Sequence, residues 1–251
     1  MLTEERQHYI LKCLRTKEIV KLQDLVAHTK ASESTVRRDL QELEDAGRLV
    51  RIHGGAKRLN NLMDEPSQTS KANTNVAEKQ QIAEYAATKI HQGDVIFMDA
   101  GTTVQALISF LTPAQHVTIV TTGVDTAALL AEKQLHIYLI GGQIKNLTKA
   151  VIGAKAIAEL NDYRFDLAFI GTNGIDEQNG YSTPDPEEGA LKRIVLKRSA
   201  ERYILAEANK FGRVSFDRFG NLSDAEIITS TMPEKFQHLK TYTSIEEVVH
   251  F

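Results

Sequence analysis

Residues 32–43 read Ser-Glu-Ser-Thr-Val-Arg-Arg-Asp-Leu-Gln-Glu-Leu, and residues 48–58 read Arg-Leu-Val-Arg-Ile-His-Gly-Gly-Ala-Lys-Arg. Ser32 is placed to cap a helix running from Glu33 to Ala46, with Gly47 as the residue that ends it. Val36, Leu40 and Leu43 fall at helical spacing and form one buried stripe, which leaves Ser34, Thr35, Arg37, Arg38 and Gln41 for other faces. The second stretch predicts two short strands around a Gly54-Gly55 turn, with cations at its tip and flanks. Upstream, a first helix is expected from about Thr3 as its cap, with Glu4 and Glu5 in the first turn and Ile10, Leu11 and Leu14 on one stripe. A second helix is expected over Leu22–Thr29, with Leu22, Leu25 and Val26 inward. Three closely spaced helices followed by a hairpin predict a winged helix-turn-helix over residues 1–59.

That arrangement suits double-stranded DNA. Arg37 or Arg38 can offer a bidentate fork to guanine, while the hydroxyls of Ser32, Ser34 and Thr35 permit close backbone approach. Arg51, His53 and Lys57 on the wing would meet phosphates or the minor groove. His53 has no partner at ligand spacing, so it is expected to serve as a wing-tip or structural hydrogen-bonding group, and no metal site is predicted.

The chain has 251 residues, of which 42% are apolar and 25% charged, a balance that excludes a disordered acidic tail, a collagen-like repeat and a small disulfide scaffold. The net charge of −3 divides unevenly, about +3 over residues 1–60 and −6 over the rest. The longest apolar run is about five residues, far from the ~20 that a membrane span needs. The opening Met1-Leu2-Thr3-Glu4-Glu5-Arg6 lacks a basic region followed by an apolar core, and Cys13 is alone, so a cytoplasmic protein is expected.

Residues 60–75 are polar and poor in apolar anchors, which predicts a linker. From residue 76 to 251 short β-rich runs alternate with helical stretches. The runs are Val95–Met98, Val117–Val120, Ile137–Ile140, Leu167–Ile170 and Tyr203–Leu205. The helices are expected over Glu78–Ile90, Thr126–Glu132, Gly153–Leu160 and Glu187–Ala200. Such alternation predicts an α/β domain with a mainly parallel sheet covered on both faces.

In such a sheet the ligand crevice lies at the carboxyl ends of the strands. Those ends carry polar turns: Asp99 with Gly101, Thr102 and Thr103 after the first strand, Thr122 after the second, Gly141 and Gly142 after the third, and Asn173 after the fourth. Asp185 and Glu188 lie in the loop that feeds the last helix, and Lys210 follows the fifth strand. A glycine turn, hydroxyls and a helix start can take an anion, joined by Lys210, while carboxylates accept from hydroxyls; together they suit a phosphorylated polyol. No Walker loop, Gly-x-Gly-x-x-Gly, His-Glu-x-x-His or Gly-x-Ser-x-Gly motif is present. No cofactor and no catalytic residue is predicted.

The run Ser32, Thr35, Val36, Arg37, Arg38, Asp39, Leu40, followed by Arg51, His53, Gly54, Gly55, Ala56, resembles the signature of the DeoR-type repressors. The resemblance covers nearly the whole chain. It implies an effector domain with a ribose-5-phosphate-isomerase-like fold and a phosphorylated sugar as the effector. Ala31–Thr35, Tyr163–Asp166, Gly171–Gly174 and Ser182–Glu187 look most like the fructose-operon repressors of low-GC Gram-positive bacteria, which implies fructose-1-phosphate. Thr122 departs from the asparagine that many members carry there. The resemblance further implies a homodimer or homotetramer released from operator DNA by its sugar. The alternatives are an isomerase-like enzyme fused to a DNA-binding module, or a regulator of tagatose–lactose, amino-sugar or glycerol genes. Against the enzyme, Gly189-Ala190-Leu191 is followed by Lys192, Arg193, Ile194 and Val195, where the isomerases supply a glutamate.

Overall fold

A computed structural model describes every residue except 18, 47, 59, 60 and 249–251. The chain divides into two compact units, Met1–Asn61 and Leu62–Phe251.

The first unit contains helix α1 (Thr3–Thr16), strand β1 (Ile19–Lys21), α2 (Leu22–Thr29), α3 (Glu33–Asp45), β2 (Leu49–Ile52) and β3 (Gly55–Arg58). Thr3 is the first helical residue rather than the cap, which is Leu2. Ser32 caps α3 as expected, its Oγ accepting from the Thr35 N–H at 3.2 Å. The expected end of that helix, Gly47, lies outside the described residues. Ile10, Leu14, Leu22, Leu25, Val36, Leu40, Leu43 and Leu49 form one buried cluster, so each amphipathic stripe meets the others at a common core. The sequence pattern did not show β1, which pairs antiparallel with β3 to make a three-stranded sheet with β2. That pairing explains the two glycines of the turn. Gly54 sits at φ +80°, and a Cβ on Gly55 would stand 2.0 Å from the Val20 carbonyl oxygen.

The second unit begins with α4 (Gln68–Ala72) and α5 (Val76–Ala87), followed by β4 (Val95–Met98), α6 (Thr102–Ala106), β5 (Thr118–Thr121), α7 (Val124–Glu132) and β6 (His136–Leu139). Next come β7 (Gln143–Lys145), β8 (Ala150–Ile152), α8 (Ala154–Asp162), β9 (Phe165–Gly171), β10 (Gly174–Asp176), β11 (Gly180–Thr183) and α9 (Pro186–Arg198). The unit closes with β12 (Ser199–Leu205), β13 (Asp217–Gly220), β14 (Glu226–Thr229) and β15 (Ile245–Glu247). Among the described residues, seven strands form one sheet in the order β15-β14-β12-β9-β4-β5-β6, and every pairing in it is parallel. Alternate residues feed opposite faces: Phe97, Ala168, Ile170, Ile204 and Ile227 pack on one side, Ile96, Met98, Leu167, Phe169 and Leu205 on the other. A sheet buried on both faces is what the continuous apolar runs demand. Two small antiparallel sheets, β10-β11-β13 and β7-β8, lie outside the main one.

From β4 the chain winds through β5 and β6 to one edge, then returns to place β9 on the other side of β4. The order in which strands are added therefore reverses between β4 and β9, while the strands stay parallel. A crevice lies outside their carboxyl ends.

Residues 62–75 correct the expectation of a linker. They pack as a strap on the second unit. Phe216 donates its backbone N–H to the Leu62 carbonyl (3.0 Å), the Gln68 N–H donates to Leu147 O (3.0 Å), and Gln68 Nε2 donates to Ala100 O (2.7 Å). The polar side chains of this stretch satisfy buried partners instead of water: those of Glu65 and Gln68 are both buried.

Candidate functional site

In the first unit, α3 turns Val36, Asp39, Leu40 and Leu43 into the core. Ser34, Arg37 and Arg38 are left exposed on the opposite stripe. Asp39 is buried and takes two hydrogen bonds from Arg6, Nε to Oδ2 at 2.6 Å and Nη2 to Oδ1 at 2.9 Å. Its carboxylate locks α1 to α3, and the Arg6 guanidinium, hydrogen-bonded to it, has its pKa pushed up. The two candidate base-reading arginines differ. Arg37 is held by Glu33 one turn back at 2.6 Å, while Arg38 makes no hydrogen bond or ion pair among the described residues. Ser32 Oγ lies 2.9 Å from Ser34 Oγ and 2.8 Å from Thr35 Oγ1, so the three hydroxyls form one cluster at the start of the helix. On the hairpin, Arg51 and His53 are exposed and Lys57 is half-buried. Arg51 donates to the Gln41 side-chain oxygen, and its N–H donates to Glu44 Oε1 at 2.8 Å, which fixes the wing to the exposed side of α3.

In the second unit, the crevice at the β4/β9 reversal gathers the turn after β4, the turn after β9, the start of α9, the turn after β12 and the strap. Of the expected residues, Asp99, Gly101, Thr102, Thr103, Asn173, Glu188 and Lys210 line it together. Thr103 donates its hydroxyl to Glu207 Oε1 (3.0 Å). Glu188 Oε1 accepts from Thr148 Oγ1 (2.6 Å) and Lys145 Nζ (3.1 Å). Asp99 Oδ2 accepts from the Gly171 N–H (2.9 Å) and from Lys192, which also donates to Gly171 O at 2.9 Å.

Four expected residues stand apart. Thr122 is buried and borders a small void behind Asp99, Glu188 and Lys192. Gly141 and Gly142 follow β6, near the far edge of the sheet from the reversal. There the Gly141 N–H donates to Glu159 Oε2 at 3.0 Å, and a Cβ on Gly142 would stand 2.6 Å from Ile152 O, so close packing requires the second glycine. Asp185 caps α9, accepting from the Glu187 and Glu188 N–H groups at 2.8 and 3.2 Å. Its burial raises its pKa, but Lys145 at 2.8 Å and those two N–H groups outweigh burial and hold it below the usual carboxylate range.

The crevice also holds residues that the sequence does not mark as site residues: Glu65, Lys71, Lys79, Lys192 and Glu207 among its lining, with Lys145 tying Glu65 to Glu188. Lys71, Lys79 and Lys210 cluster on one side. Glu207 is the carboxylate among them, 3.5 Å from Lys79 and 3.8 Å from Lys210. Burial lowers the Lys210 pKa; Glu207 opposes that shift, and the charges of Lys71, Arg213 and Lys79 add to it. This side is a cation-rich wall suited to an anion.

Two family models match this chain. A DeoR-like helix-turn-helix domain covers residues 6–61, and a DeoR C-terminal sensor domain covers residues 74–231. The chain belongs to the DeoR family. Among DeoR relatives it is 42% identical, over 93% of both chains, to the uncharacterized HTH-type transcriptional regulator FruR of Bacillus subtilis. It is 33% identical, over 98% of this chain and 99% of the other, to the lactose phosphotransferase system repressor of Streptococcus mutans. Identity to the HTH-type transcriptional regulator GlpR of Haloferax volcanii is 32%, over 90% and 89%. Among solved structures, ribose 5-phosphate isomerase A of Methanocaldococcus jannaschii aligns over 55% of each chain at 18% identity with a TM-score of 0.42. This DeoR-family chain is a transcriptional regulator with a winged helix-turn-helix and a mainly parallel α/β sensor domain. Among the described residues no helix is long and apolar enough to cross a membrane.

Proposed function

We propose that this regulator represses a sugar-utilisation operon in the cytoplasm, holding operator DNA when unliganded and releasing it when a phosphorylated sugar fills the sensor crevice. The observation that carries the reading is that Lys71, Lys79 and Lys210 line one crevice together with Thr102, Asn173 and Glu188. The lysines and the Gly101–Thr103 turn would take the phosphate. Asn173 and Glu188 would exchange hydrogen bonds with sugar hydroxyls. Fructose-1-phosphate is the first candidate, favoured by the fructose-repressor resemblance of the sequence and by the 42% identity to FruR.

Binding is favoured over catalysis by how the crevice carboxylates are engaged. Asp99 is held by Lys192, Glu188 by Lys145 and Thr148, Glu207 by Thr103 and Lys79, and Glu65 by Lys71 and Lys145. An isomerase needs a base free to take a proton from carbon, and none of these carboxylates is free.

On DNA, Arg38 is free to reach a base edge at once, whereas Arg37 must first leave Glu33. Ser32, Ser34 and Thr35 would approach the backbone, and Arg51, His53 and Lys57 would meet phosphates. A symmetric homodimer or homotetramer would present two such modules to half-sites about one or more helical turns apart.

The test is a mobility-shift titration on the upstream region of the protein's own operon, with hexose, pentose, amino-sugar and glycerol phosphates. Release by fructose-1-phosphate at the lowest concentration is expected, without consumption of the sugar. Retention of the complex with every phosphosugar, or turnover of one of them, refutes the reading.

A further inference from the structure

Residues 62–73 fall outside both family models, yet in the structure they form one wall of the crevice. At the centre of this strap is the Glu65 carboxylate, only 4% exposed, between Lys71 Nζ at 3.0 Å and Lys145 Nζ at 2.6 Å. The charges on its two sides are unequal. Lys145 also receives Asp185 at 2.8 Å and Glu188 at 3.1 Å, so three carboxylates crowd one ammonium. On the other side Lys79 and Lys210 flank Glu207, and Lys71 lines the same part of the crevice. Glu65 therefore stands where surplus negative charge meets surplus positive charge.

We propose that Glu65 occupies the place of a phosphate at Lys71 in the unliganded protein, and that an arriving phosphomonoester takes Lys71 and expels Glu65. This rests on the proposed effector role of the crevice and adds its mode of regulation. A phosphate dianion outcompetes a single carboxylate for clustered ammonium groups because it brings more charge and three acceptor oxygens. Losing Glu65 leaves Lys145 still neutralised by Asp185 and Glu188, and it removes one of three mutually repelling carboxylates. Lys71 remains docked through the ligand, and Gln68 through Ala100 O and Leu147 O. Glu65 and the hydrogen bond from the Phe216 N–H to Leu62 O both help to hold residues 62–66 on the sensor unit, so expulsion of Glu65 loosens that segment. Leu62 directly follows the DNA-binding unit. Ligand occupancy and the freedom of the chain next to that unit become a single equilibrium.

Calorimetric titration and hydrogen exchange on the full chain, with fructose-1-phosphate and inorganic phosphate as probes, test this. Glu65→Gln should bind fructose-1-phosphate about fivefold more tightly or better, within the usual range of site-to-site coupling. Lys71→Met should bind it at least about tenfold more weakly, as loss of a charged hydrogen-bond partner implies. In the natural protein the sugar phosphate should speed exchange at residues 63–65 and at the Phe216 amide, while residues 68–75 stay protected. In Glu65→Gln that fast exchange should be present without ligand. Unchanged affinity of Glu65→Gln, or slower exchange at 63–65 on ligand binding, overturns the exchange of Glu65 for phosphate and leaves the effector reading standing. Absence of binding of either probe to the natural protein overturns both.

Discussion

Replacing Lys192 with methionine isolates the buried charge at the floor of the crevice. Lys192 and Asp99 are 6% and 7% exposed, and the ammonium is shared between Asp99 Oδ2 and Gly171 O. The Lys192→Met side chain keeps the stem packed against its surroundings and removes the charge, so Asp99 is left with the Gly171 N–H as its donor. Breaking a buried pair from one side costs about 3–5 kcal/mol, because the surviving ion is desolvated without compensation. In a domain of this size each kcal/mol moves the midpoint by roughly 2–4 °C, which gives a fall of about 6–20 °C in the melting temperature of the sensor unit. Adding Asp99→Asn removes the stranded charge while keeping an acceptor for the Gly171 N–H, so the double variant should recover at least half of the loss. Scanning calorimetry of the three variants closes the cycle. Melting of the helix-turn-helix unit, followed through operator binding, should not move. A fall below about 2 °C for Lys192→Met, or a double variant worse than the sum of the singles, would refute the assignment of this pair as a buried, mutually dependent ion pair.

Four further outcomes follow from the geometry. Arg38→Ala should weaken operator binding by about 1–3 kcal/mol, the worth of one bidentate base contact, and more than Arg37→Ala, since Arg37 already spends its guanidinium on Glu33; a mobility shift in which the order is reversed contradicts this. Glu33→Gln should raise affinity for operator and for unrelated DNA alike by freeing Arg37, read as a steeper slope of log K against log salt. Asp185→Ala should destabilise the sensor unit by about 1 kcal/mol through loss of the α9 cap, seen as a lowered denaturation midpoint. The pH response turns on Lys210, whose pKa is lowered by burial and whose charged form a bound phosphate would favour. Sugar-phosphate affinity should therefore fall as pH rises from neutrality through that depressed pKa, below the ordinary lysine value. Lys210→Met should flatten this part of the profile in calorimetric titrations.

The helix-turn-helix was legible because its rules are local: Ser32 caps, and Val36, Leu40 and Leu43 share a stripe over two turns. The central strands β4, β5, β9 and β12 were legible because strands buried on both faces leave uninterrupted apolar runs. The edge strand β6 showed the same run at Ile137–Ile140, whereas very short or charge-bearing strands carry no such mark. Ile245–Glu247 is half-buried along its length and reads as loop, and Ile19–Lys21 is only three residues long. The site was half-visible for a related reason. That polar turns lie at strand ends is a local fact, but which ends meet depends on sheet order, which follows from the reversal after β6. In the sequence the turns after β5 and β6 look equivalent to those after β4 and β9, yet Thr122, Gly141 and Gly142 do not line the crevice. Lys192 was in view as the residue standing where an isomerase would place its glutamate, and only its contact with Asp99 shows what it does. The strap carried one readable signal, Ser67 three residues before Ser70, whose N–H it caps at 3.2 Å. Its charged residues looked solvated because their partners, Lys145 above all, are 80 positions away.

The strap also dictates where the gene can be cut. A hybrid regulator that joins this sensor to a foreign reader head at residue 76, where the regular βα alternation starts, would discard Glu65, Gln68 and Lys71 and open the crevice to solvent. A graft made between Asn61 and Leu62 would carry the whole receptor with its own tether, and it is the junction at which responsiveness should survive transplantation.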